Sequence, residues 1–473
     1  MPNTNHPSAT PPASPSATPS GIPPATPAPQ PSVLLAPSKS AVSNQGGTME
    51  VLVRVQAPDW PEGLAPQSTP KCLALVVDRS GSMSGAPLTE ALACVVHIAE
   101  RMPPADQMAL VVYDDQVDTL LPLCAMGAPQ AVIDAVAHVK SGGSTNLFGG
   151  WLAGAKQLEG GMAGSISRVI LLSDGRVNAG ACDEETIAQQ CGLWLAKGVS
   201  TTTVGLGRNF NESLMSAMAR SGGGQQYYGQ TAADLYDSFD EEFSLLQALC
   251  LRQLDLRFIP AAGVVVEPVG LVQQGADGTI RLSDLAWGAE AWMVLRLHLS
   301  PSTVSTVGAV RDLLAVSVKA QTLQGGSITP VTAMLSLPVV SESDHAALPH
   351  DELVERRTLE LEFAQASQEL RTLVQDGDID GVSRLMATLR RRFGHHPWLA
   401  DKLDHMQVLS DRDAEMFSKE VYFSAMKMST RLSAKEELHY SMDETLNAGP
   451  AYLRKKAQEG KGRQPTGGSI SRK

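Results

Sequence analysis

The sequence has few cysteines, few aromatic residues and no long apolar segment. Its six cysteines include no CxxC pair and no framework spacing, which favours reduced thiols over a secreted disulfide scaffold. Aromatic residues make up 5% of the chain, too few for platforms that stack nucleic-acid bases. The apolar runs fall far short of the roughly 20 residues that a membrane helix needs, and the first residues resemble no signal peptide. We therefore expect a cytoplasmic protein with no membrane span.

Positive charge is also scarce, and it is unevenly distributed. The chain has 38 Lys and Arg against 50 Asp and Glu, a net charge of −12. Residues 71–249 alone hold 10 basic and 19 acidic side chains, whereas residues 451–473 hold seven basic side chains and one acidic one. The folded body is thus unsuited to nucleic acid. We expect residues 446–473 to form a disordered basic tail, and contact with RNA or anionic lipid stays open for that tail alone.

The N-terminal part changes composition twice. Twelve of the 30 prolines fall in the first 37 residues, which lack Lys, Arg, Asp and Glu, so we expect residues 1–47 to be a disordered leader. Residues 48–70 contain an alternating apolar and polar stretch and then a Pro-rich connector. The alternation indicates a half-buried strand. We expect this strand to pair with the β-sandwich predicted further along the chain.

Residues 71–249 alternate short apolar runs with helical patterns, which predicts an α/β fold: a doubly wound, mostly parallel sheet covered by helices. The predicted strands are 73–77, 108–113, 169–172 and 201–204, with an edge hairpin near 117–123. The predicted helices are 86–101, 130–139, 148–158, 183–197, 211–220 and 231–247. The strand ends of such a sheet are where open α/β folds bind ligands.

Two further regions follow the α/β region. Residues 250–340 contain alternating β-type segments separated by Gly, Asp and Ser turns, which predicts an antiparallel β-sandwich. Residues 350–445 have apolar positions at helical spacing, broken at Gly377 and at 394–397, which predicts a helical region. We expect both regions to orient the α/β unit or to bind other subunits.

Three polar clusters follow the predicted strands of the α/β region. Asp78, Ser80 and Ser82 come directly after the first buried strand, Thr145 lies in a Gly-rich loop before a helix, and Asp174 follows another buried strand. One or two carboxylates with three hydroxyls form an all-oxygen donor set, which suits Mg²⁺ or Mn²⁺ and does not suit zinc or copper. With so few anionic ligands, a bound ion stays electropositive and attracts a carboxylate from outside.

These residues resemble the metal-ion-dependent adhesion site of von Willebrand factor type A (VWA) domains. The D-R-S-G-S motif, the single Thr145 and the S-D-G motif stand in the family's order, and the framework is similar to that of bacterial members. The resemblance implies that Asp78, Ser80, Ser82 and Thr145 hold the ion directly or through water, and that Asp174 acts through water. It also implies that a protein partner supplies a Glu or Asp to the metal, so that the domain is a binding module and not an enzyme.

Two alternatives remain open at this stage. A Mg²⁺-dependent hydrolase or phosphoryl-transfer protein would use the same metal site, but it needs a general base or nucleophile, and these loops supply none. Ser80 also stands where an Asp-nucleophile phosphotransferase needs its second Asp. A structural adaptor subunit of an ATPase or kinase system would carry the metal site without using it.

Three other motifs predict structure and not chemistry. Residues 205–210 imitate a dinucleotide fingerprint but place Phe210 where the third glycine is needed. Residues 376–381 imitate half of a calcium loop but place Ala387 at the position that requires Glu, so we expect a capped turn between helices. His395 and His396 have no acidic or Cys partners at metal spacing.

Overall fold

A computed structural model describes the chain as an α/β unit, a two-sheet β unit and a set of helices. The described residues are 29–59, 69–127, 129–162, 164–174, 183–206, 211–229, 232–270, 272, 274–275, 277–410, 417, 421 and 432–434. Within this part of the chain, no helix is both long and apolar enough to cross a membrane.

Three strands precede the α/β unit: β1 (Ser32–Pro37), β2 (Val42–Ser43) and β3 (Gly47–Gln56). β3 pairs antiparallel, along its whole length, with a strand at Ala289–Leu299 that follows the α/β unit. The α/β unit is therefore inserted into the β unit.

The disordered leader predicted for residues 1–47 extends too far. β1 and β2 lie inside it, β1 pairs antiparallel with β3, and Val33 and Leu35 pack against the core of the β unit. The prediction of disorder rested on composition alone, which contains no information about β3. The backbone N–H and C=O groups of β1 are satisfied by hydrogen bonds to that strand. Residues 1–28 of the leader and the whole predicted tail, 446–473, lie outside the described residues.

The α/β unit is built on a six-stranded sheet, which confirms the predicted fold class. Its strands are β4 (Lys71–Asp78), β5 (Gln107–Tyr113), β6 (Val117–Ala125), β7 (Ile166–Ser173), β8 (Val199–Leu206) and β9 (Gly223–Gly229). Their order is β6-β5-β4-β7-β8-β9, and only the β5–β6 pair among them is antiparallel. Every residue of β4 is buried, as expected for a central strand that is covered on both faces.

Helices cover both faces of this sheet. They are α1 (Ala86–Arg101), α2 (Gln130–Val136), α3 (Leu147–Gln157), α4 (Glu184–Ala196), α5 (Glu212–Ser221) and α6 (Ala232–Ala248). α1 shows why the helices form: Leu88, Ala91, Val95 and Ile98 recur at spacings of three and four residues and are buried, which gives one apolar stripe toward the sheet.

The β unit consists of two sheets that pack around one core, in agreement with the predicted sandwich. Its later strands are β10 (Leu249–Pro260), β11 (Val264–Pro268), β12 (Ile280–Leu282), β13 (Leu285–Ala286), β14 (Ala289–Leu299), β15 (Val310–Thr322) and β16 (Val331–Val340). One sheet has the order β1-β3-β14-β11 and the other β12-β10-β15-β16-β2. The β16–β2 pair is parallel, and the other pairs in these two sheets are antiparallel.

The C-terminal part is mainly helical, with α7 (Glu342–Ala347), α8 (Glu352–Gln375), α9 (Ile379–Phe393) and α10 (Pro397–Ser410). α8 covers the outer face of one sheet, where the Arg357 guanidinium lies 4.3 Å from the ring centre of Trp292. The prediction of helices throughout 350–445 is wrong at one place. Residues Leu432–Ala434 form a short strand, β17, that pairs antiparallel with the first residues of β14, on the side of that strand which β11, paired only further along, leaves open there.

Candidate metal site

The carboxyl edge of the sheet positions the first cluster of predicted ligands. Asp78 is the last residue of β4, and the chain then turns through Ser80 into a single 3-10 turn at Gly81–Met83. The backbone N–H of Ser80 donates to Asp78 Oδ1 at 2.8 Å. The hydroxyl oxygens of Ser80 and Ser82 lie 3.1 Å apart. Ser80 is buried whereas Ser82 is exposed. The site therefore extends from the buried end of β4 to the protein surface.

Two further side chains hold the Asp78 carboxylate. Ser173 Oγ donates to Asp78 Oδ2 at 2.6 Å, and the Tyr113 hydroxyl donates to the same oxygen at 3.3 Å. Tyr113 faces Asp78 across the β4–β5 pair, and Ser173 ends β7 next to Asp174. Our sequence reasoning missed both residues. The serine of the S-D-G motif was a usable signal, but a strand-end tyrosine carries no sign of its partner on the next strand.

Burial and neighbouring charge act in opposition to these hydrogen bonds. Burial raises the pKa of the Asp78 carboxyl, the hydrogen bonds from Ser173 and Ser80 offset part of that shift, and the charge of Asp174 adds to it. Burial also raises the pKa of Tyr113 well above its usual value, so its hydroxyl remains a donor. A cation beside Asp78 would favour the charged form of this carboxyl.

The Thr145 loop is attached to the first loop by backbone hydrogen bonds. Gly142 N donates to Arg79 O at 2.9 Å, and Gly81 N donates to Gly143 O at 3.1 Å. Gly143 has φ +66°, and a Cβ at this position would overlap the Asp115 carboxylate, so the loop needs glycine there. Asn146 then caps α3 by accepting from Gly149 N at 3.0 Å. Thr145 is fixed between these contacts.

Thr145 is fully buried, and its Oγ1 has no hydrogen-bond partner among the described residues. A buried polar atom without a partner costs about 1–3 kcal/mol, and such atoms are rare in folded proteins. A cation bound to Oγ1 would remove that cost. The unpartnered oxygen is therefore consistent with a cation site.

Asp174 supplies the second carboxylate of the candidate site. It follows β7 directly and is 6% exposed, and its charge acts on Asp78. The loop that continues from it, 175–182, lies outside the described residues. Within the described part of the chain, the five predicted residues therefore lie on three adjacent loops at one edge of the sheet.

Arg79, which stands between two of the candidate ligands, is held by acidic side chains. It pairs with Asp114 (Nε to Oδ2, 3.2 Å) and with Asp118 (Nη2 to Oδ2, 2.6 Å), and its side chain is 17% exposed. Burial lowers the pKa of Arg79, but the hydrogen bonds and charges of these two carboxylates outweigh burial and raise it. The guanidinium thus stays protonated, and the two carboxylates balance its positive charge.

The donor chemistry fits a hard divalent cation. Among the described residues, no group of three or more His, Cys, Asp or Glu could hold a metal. Two carboxylates with three hydroxyls suit Mg²⁺ or Mn²⁺, which take oxygen ligands and retain water.

The segments that resemble a calcium loop, a histidine metal site and a dinucleotide fingerprint are only partly within the described residues. Asp378 caps α9 by accepting from Gly381 N at 2.7 Å, which agrees with a capped turn. The rings of His395 and His396 are tilted by 52° to each other, with centroids 5.7 Å apart. Residues 207–210 of the fingerprint-like segment lie outside the described residues.

A comparison with protein families matches residues 73–241 to the von Willebrand factor type A domain. Among curated proteins, an uncharacterized protein of Synechocystis is 26% identical over 49% of this chain and 57% of its own length. The protein YfbK of Escherichia coli, also uncharacterized, is 28% identical over 49% of this chain and 42% of its own. Human inter-alpha-trypsin inhibitor heavy chain H3 is 29% identical over 37% of this chain and 21% of its own. The chain thus spans only part of each relative.

Two solved structures share the fold over most of the chain. A von Willebrand factor type A protein from Catenulispora acidiphila superposes with a TM-score of 0.66 at 15% identity and covers 85% of this chain and 97% of its own. The ArnB paralog VWA2 from Sulfolobus acidocaldarius superposes with a TM-score of 0.56 at 16% identity, over 84% of this chain and 99% of its own. At these identities the likeness concerns the fold alone.

Proposed function

We propose that this chain is a Mg²⁺-dependent protein-interaction module, because residues 73–241 match the von Willebrand factor type A domain and part of the chain is similar to inter-alpha-trypsin inhibitor heavy chains. VWA domains typically serve in adhesion and protein interaction. In this proposal the site recruits an acidic side chain of a partner protein, and the chain has no catalytic activity.

The buried, unpartnered Oγ1 of Thr145 carries the proposal. Asp78 and Asp174 would supply the charge that attracts the cation. Ser80, Ser82 and Thr145 would supply neutral oxygens, which add no negative charge to that of the two carboxylates. When bound, the metal supplies a Lewis-acidic centre that a partner's Glu or Asp carboxylate can complete.

The roles of the protein's own residues follow from their contacts. Ser173 and Tyr113 orient the Asp78 carboxylate. The exposed Ser82 places the outermost oxygen at the surface, where an approaching side chain arrives first. Among the described residues, the side chains that donate to Asp78 are Ser173 and Tyr113, neither of which is basic, and the raised pKa of Tyr113 keeps its hydroxyl protonated.

Calorimetric titration with Mg²⁺ and with Mn²⁺ tests the metal part of the proposal. We expect saturable binding to the wild type and its loss in Asp78→Ala. A matched control is Asp255→Ala, which removes a half-buried carboxylate on the sandwich, where it pairs with Arg281. Equal titrations for Asp78→Ala and the wild type would contradict the proposed site.

Co-purification from host cells, with and without EDTA, tests the partner part. We expect one protein to be lost both on chelation and with Asp78→Ala, and to be lost again when one of its own Glu or Asp residues is replaced by Gln or Asn. Partner binding that survives EDTA would favour the adaptor alternative. Metal-dependent turnover of phosphoesters, abolished by Asp78→Ala, would favour the hydrolase.

A cytoplasmic location completes the proposal. Cys72, Cys94, Cys124, Cys191 and Cys250 are free thiols in the structure, which supports a reducing compartment. Cell fractionation with an antibody to the chain tests it, and recovery in the medium or in a membrane fraction would refute it.

A further inference from the structure

The turn between β5 and β6 contacts two of the loops that carry candidate ligands. The loop that follows β4 contacts the end of β5, where Arg79 N donates to Tyr113 O at 2.8 Å. The Thr145 loop contacts the next residue of the turn, because Asn146 N donates to Asp114 O at 2.8 Å. The main chain of the turn therefore lies between the two loops and is bonded to both.

The side chain of Asp114 adds a second connection to the loop after β4. It contacts the Arg79 guanidinium through both oxygens, at 3.2 Å to Nε and 3.4 Å to Nη2. The side chains are 17% exposed for Arg79 and 12% for Asp114, so the pair is largely shielded from water. Asp114 Oδ1 also accepts from Gln116 N at 2.8 Å, which fixes the carboxylate within the turn.

The direct hydrogen bonds between the two loops involve Gly142 and Gly143. Glycine has the most freely rotating backbone of all residues, so such bonds restrain a loop less than bonds to a strand or a helix do. Asn146, in contrast, is the N-cap of α3. The connection through Arg79 and Asp114 therefore ties the loop after β4 to the start of a helix.

We propose that the Arg79–Asp114 ion pair holds the loop after β4 and the Thr145 loop in the arrangement that a divalent cation requires. Both members of the pair are positioning residues and supply no metal ligand. This inference rests on the proposed function, because it requires that the site binds Mg²⁺ or Mn²⁺.

Calorimetric titration of the whole chain with Mn²⁺ tests the pair through Arg79→Gln. We expect about tenfold weaker binding, the lower end of the effect of residues that orient metal ligands. Charge alone predicts the opposite sign, because a protein that has lost a positive side chain attracts a cation at least as well. Asp114→Asn should cause a similar loss, and its amide oxygen can still accept from Gln116 N, so this substitution preserves the turn.

The variant that combines both substitutions shows whether Arg79 and Asp114 act as one unit. Residues in direct contact have non-additive effects, so the double variant should bind Mn²⁺ within about twofold of either single variant. Independent residues would instead multiply their losses to about a hundredfold. That result would refute the role of the pair.

Asp118→Asn is the matched control. Asp118 contacts Arg79 Nη2 at 2.6 Å, but its side chain is 49% exposed, and its described hydrogen bonds include none to the Thr145 loop. The substitution removes the same charge as Asp114→Asn and leaves the Arg79–Asp114 pair in place. Because exposed pairs contribute little, we expect Mn²⁺ affinity within about twofold of the wild type. A loss equal to that of Asp114→Asn would mean that charge, and not the pair, lowers the affinity.

Relaxation of water protons separates positioning from a general loss of structure, because it counts the exchangeable waters on bound Mn²⁺. A site that has lost the Thr145 oxygen has room for more water, and Thr145→Val supplies the reference value. We expect Mn²⁺ bound to Arg79→Gln to carry more water than in the wild type and to approach that reference. Thermal unfolding in EDTA shows which variants are folded, and Asp114→Asn carries the same measurement if Arg79→Gln is not.

The outcomes distinguish this inference from the proposed function. If the folded variants bind Mn²⁺ like the wild type, or lose affinity without gaining water, the role of the Arg79–Asp114 pair is refuted while the metal site stands. If the wild type binds neither Mg²⁺ nor Mn²⁺, both the proposed function and this inference fail.

Discussion

At the scale of single residues, replacing the hydroxyl of Thr145 tests metal binding and folding separately. Its Oγ1 is buried without a partner among the described residues, so Thr145→Val removes no hydrogen bond from the metal-free protein and keeps the side-chain shape. We expect the free energy of unfolding in EDTA to stay equal or to rise by about 1 kcal/mol. Mg²⁺ affinity should fall at least tenfold. Denaturant unfolding and calorimetric titration measure the two effects.

Thr201→Val is the control for this substitution. Thr201 is also fully buried, but its Oγ1 accepts from Trp151 Nε1 at 3.0 Å. Losing that acceptor should lower the free energy of unfolding by about 1–3 kcal/mol and leave metal affinity unchanged. If Thr145→Val destabilised the protein as much as Thr201→Val, then Thr145 would have a structural partner, and the orphan oxygen would no longer support the site.

Gly150 controls the position of Tyr113. A Cβ at Gly150 in α3 would overlap the Tyr113 ring, so Gly150→Ala must displace the ring that donates to Asp78. Overpacking of this kind costs about 1–3 kcal/mol, and we expect weaker Mg²⁺ binding as well. Thermal unfolding and titration measure both.

Gly192, within α4, is the matched control. Its nearest neighbour, Ser221 O, would lie at an ordinary 3.7 Å from a new Cβ. Gly192→Ala should therefore stabilise the protein by about 0.5–1 kcal/mol through helix propensity. A stable, fully metal-binding Gly150→Ala variant would show that Tyr113 does not position Asp78.

The five candidate ligands could be proposed from sequence because each follows a strand or precedes a helix with a clear pattern. Their assignment as metal ligands stays a prediction. The supporting contacts could not be proposed in the same way. Tyr113 and Ser173 reach Asp78 across neighbouring strands, and the pairing of Arg79 with Asp118 depends on the turn between β5 and β6. Such contacts are set by strand register, which local sequence does not specify.

At the scale of elements, β4 is fixed at its first residue as well as at its last. Lys71 Nζ lies 2.9 Å from Asp106 Oδ2, and both side chains are fully buried. Lys71 N also donates to Asp106 Oδ1 at 2.9 Å. Asp106→Asn would leave a buried ammonium without its counter-charge, which costs about 3–5 kcal/mol. We expect that loss of unfolding free energy by urea denaturation.

Glu159→Gln is the control for Asp106→Asn, because it breaks an ion pair that is exposed. Glu159 and Lys197 lie 3.6 Å apart with more than half of each side chain exposed, and exposed pairs contribute about 0–1 kcal/mol. A similar small effect for Asp106→Asn would mean that the Lys71 pair is hydrated in solution.

Elements that are defined by their own sequence could be predicted, whereas elements that depend on pairing with a distant strand could not. The sequence predicts α1 at 86–101 and the helix spans Ala86–Arg101, because Gly85, Pro87 near its start and one apolar stripe define it locally. β1 and β17 were missed because they are strands only through pairing with β3 and β14. Short edge strands with Pro-rich or helix-like sequence give no periodic signal.

At the scale of the whole molecule, the α/β unit and the sandwich share a core. α6 ends at Ala248 and β10 begins at Leu249, with no linker between them. Leu249, Ala286 and Leu323 of the β unit pack in the same cluster as Phe243 and Leu246 of α6. An amphipathic helix that enters a strand directly cannot shift without moving that strand. We therefore expect the two units to unfold together.

Glu242 of α6 is the polar centre of this junction. It is fully buried, and it accepts hydrogen bonds from Arg168, from Thr202 Oγ1 at 2.8 Å and from the Tyr227 hydroxyl at 2.8 Å. Three strands of the sheet thus hold α6 through one carboxylate. Arg168 continues the contact toward the sandwich, since its Nη2 lies 4.0 Å from Asp284 Oδ2.

Glu242→Gln tests the coupling, because it removes the near counter-charge of the buried Arg168, whose other described ion-pair partner, Asp284, lies 4.0 Å away. Removing one partner of a buried ion pair costs about 3–5 kcal/mol. Differential scanning calorimetry should show one cooperative transition, shifted to lower temperature as a whole. Glu267→Gln, at an exposed pair with His298, should leave the transition within about 0.5 kcal/mol of the wild type. If Glu242→Gln instead split the transition in two, with one part unshifted, the α/β unit and the sandwich would be independent in stability, and the shared core would not couple them.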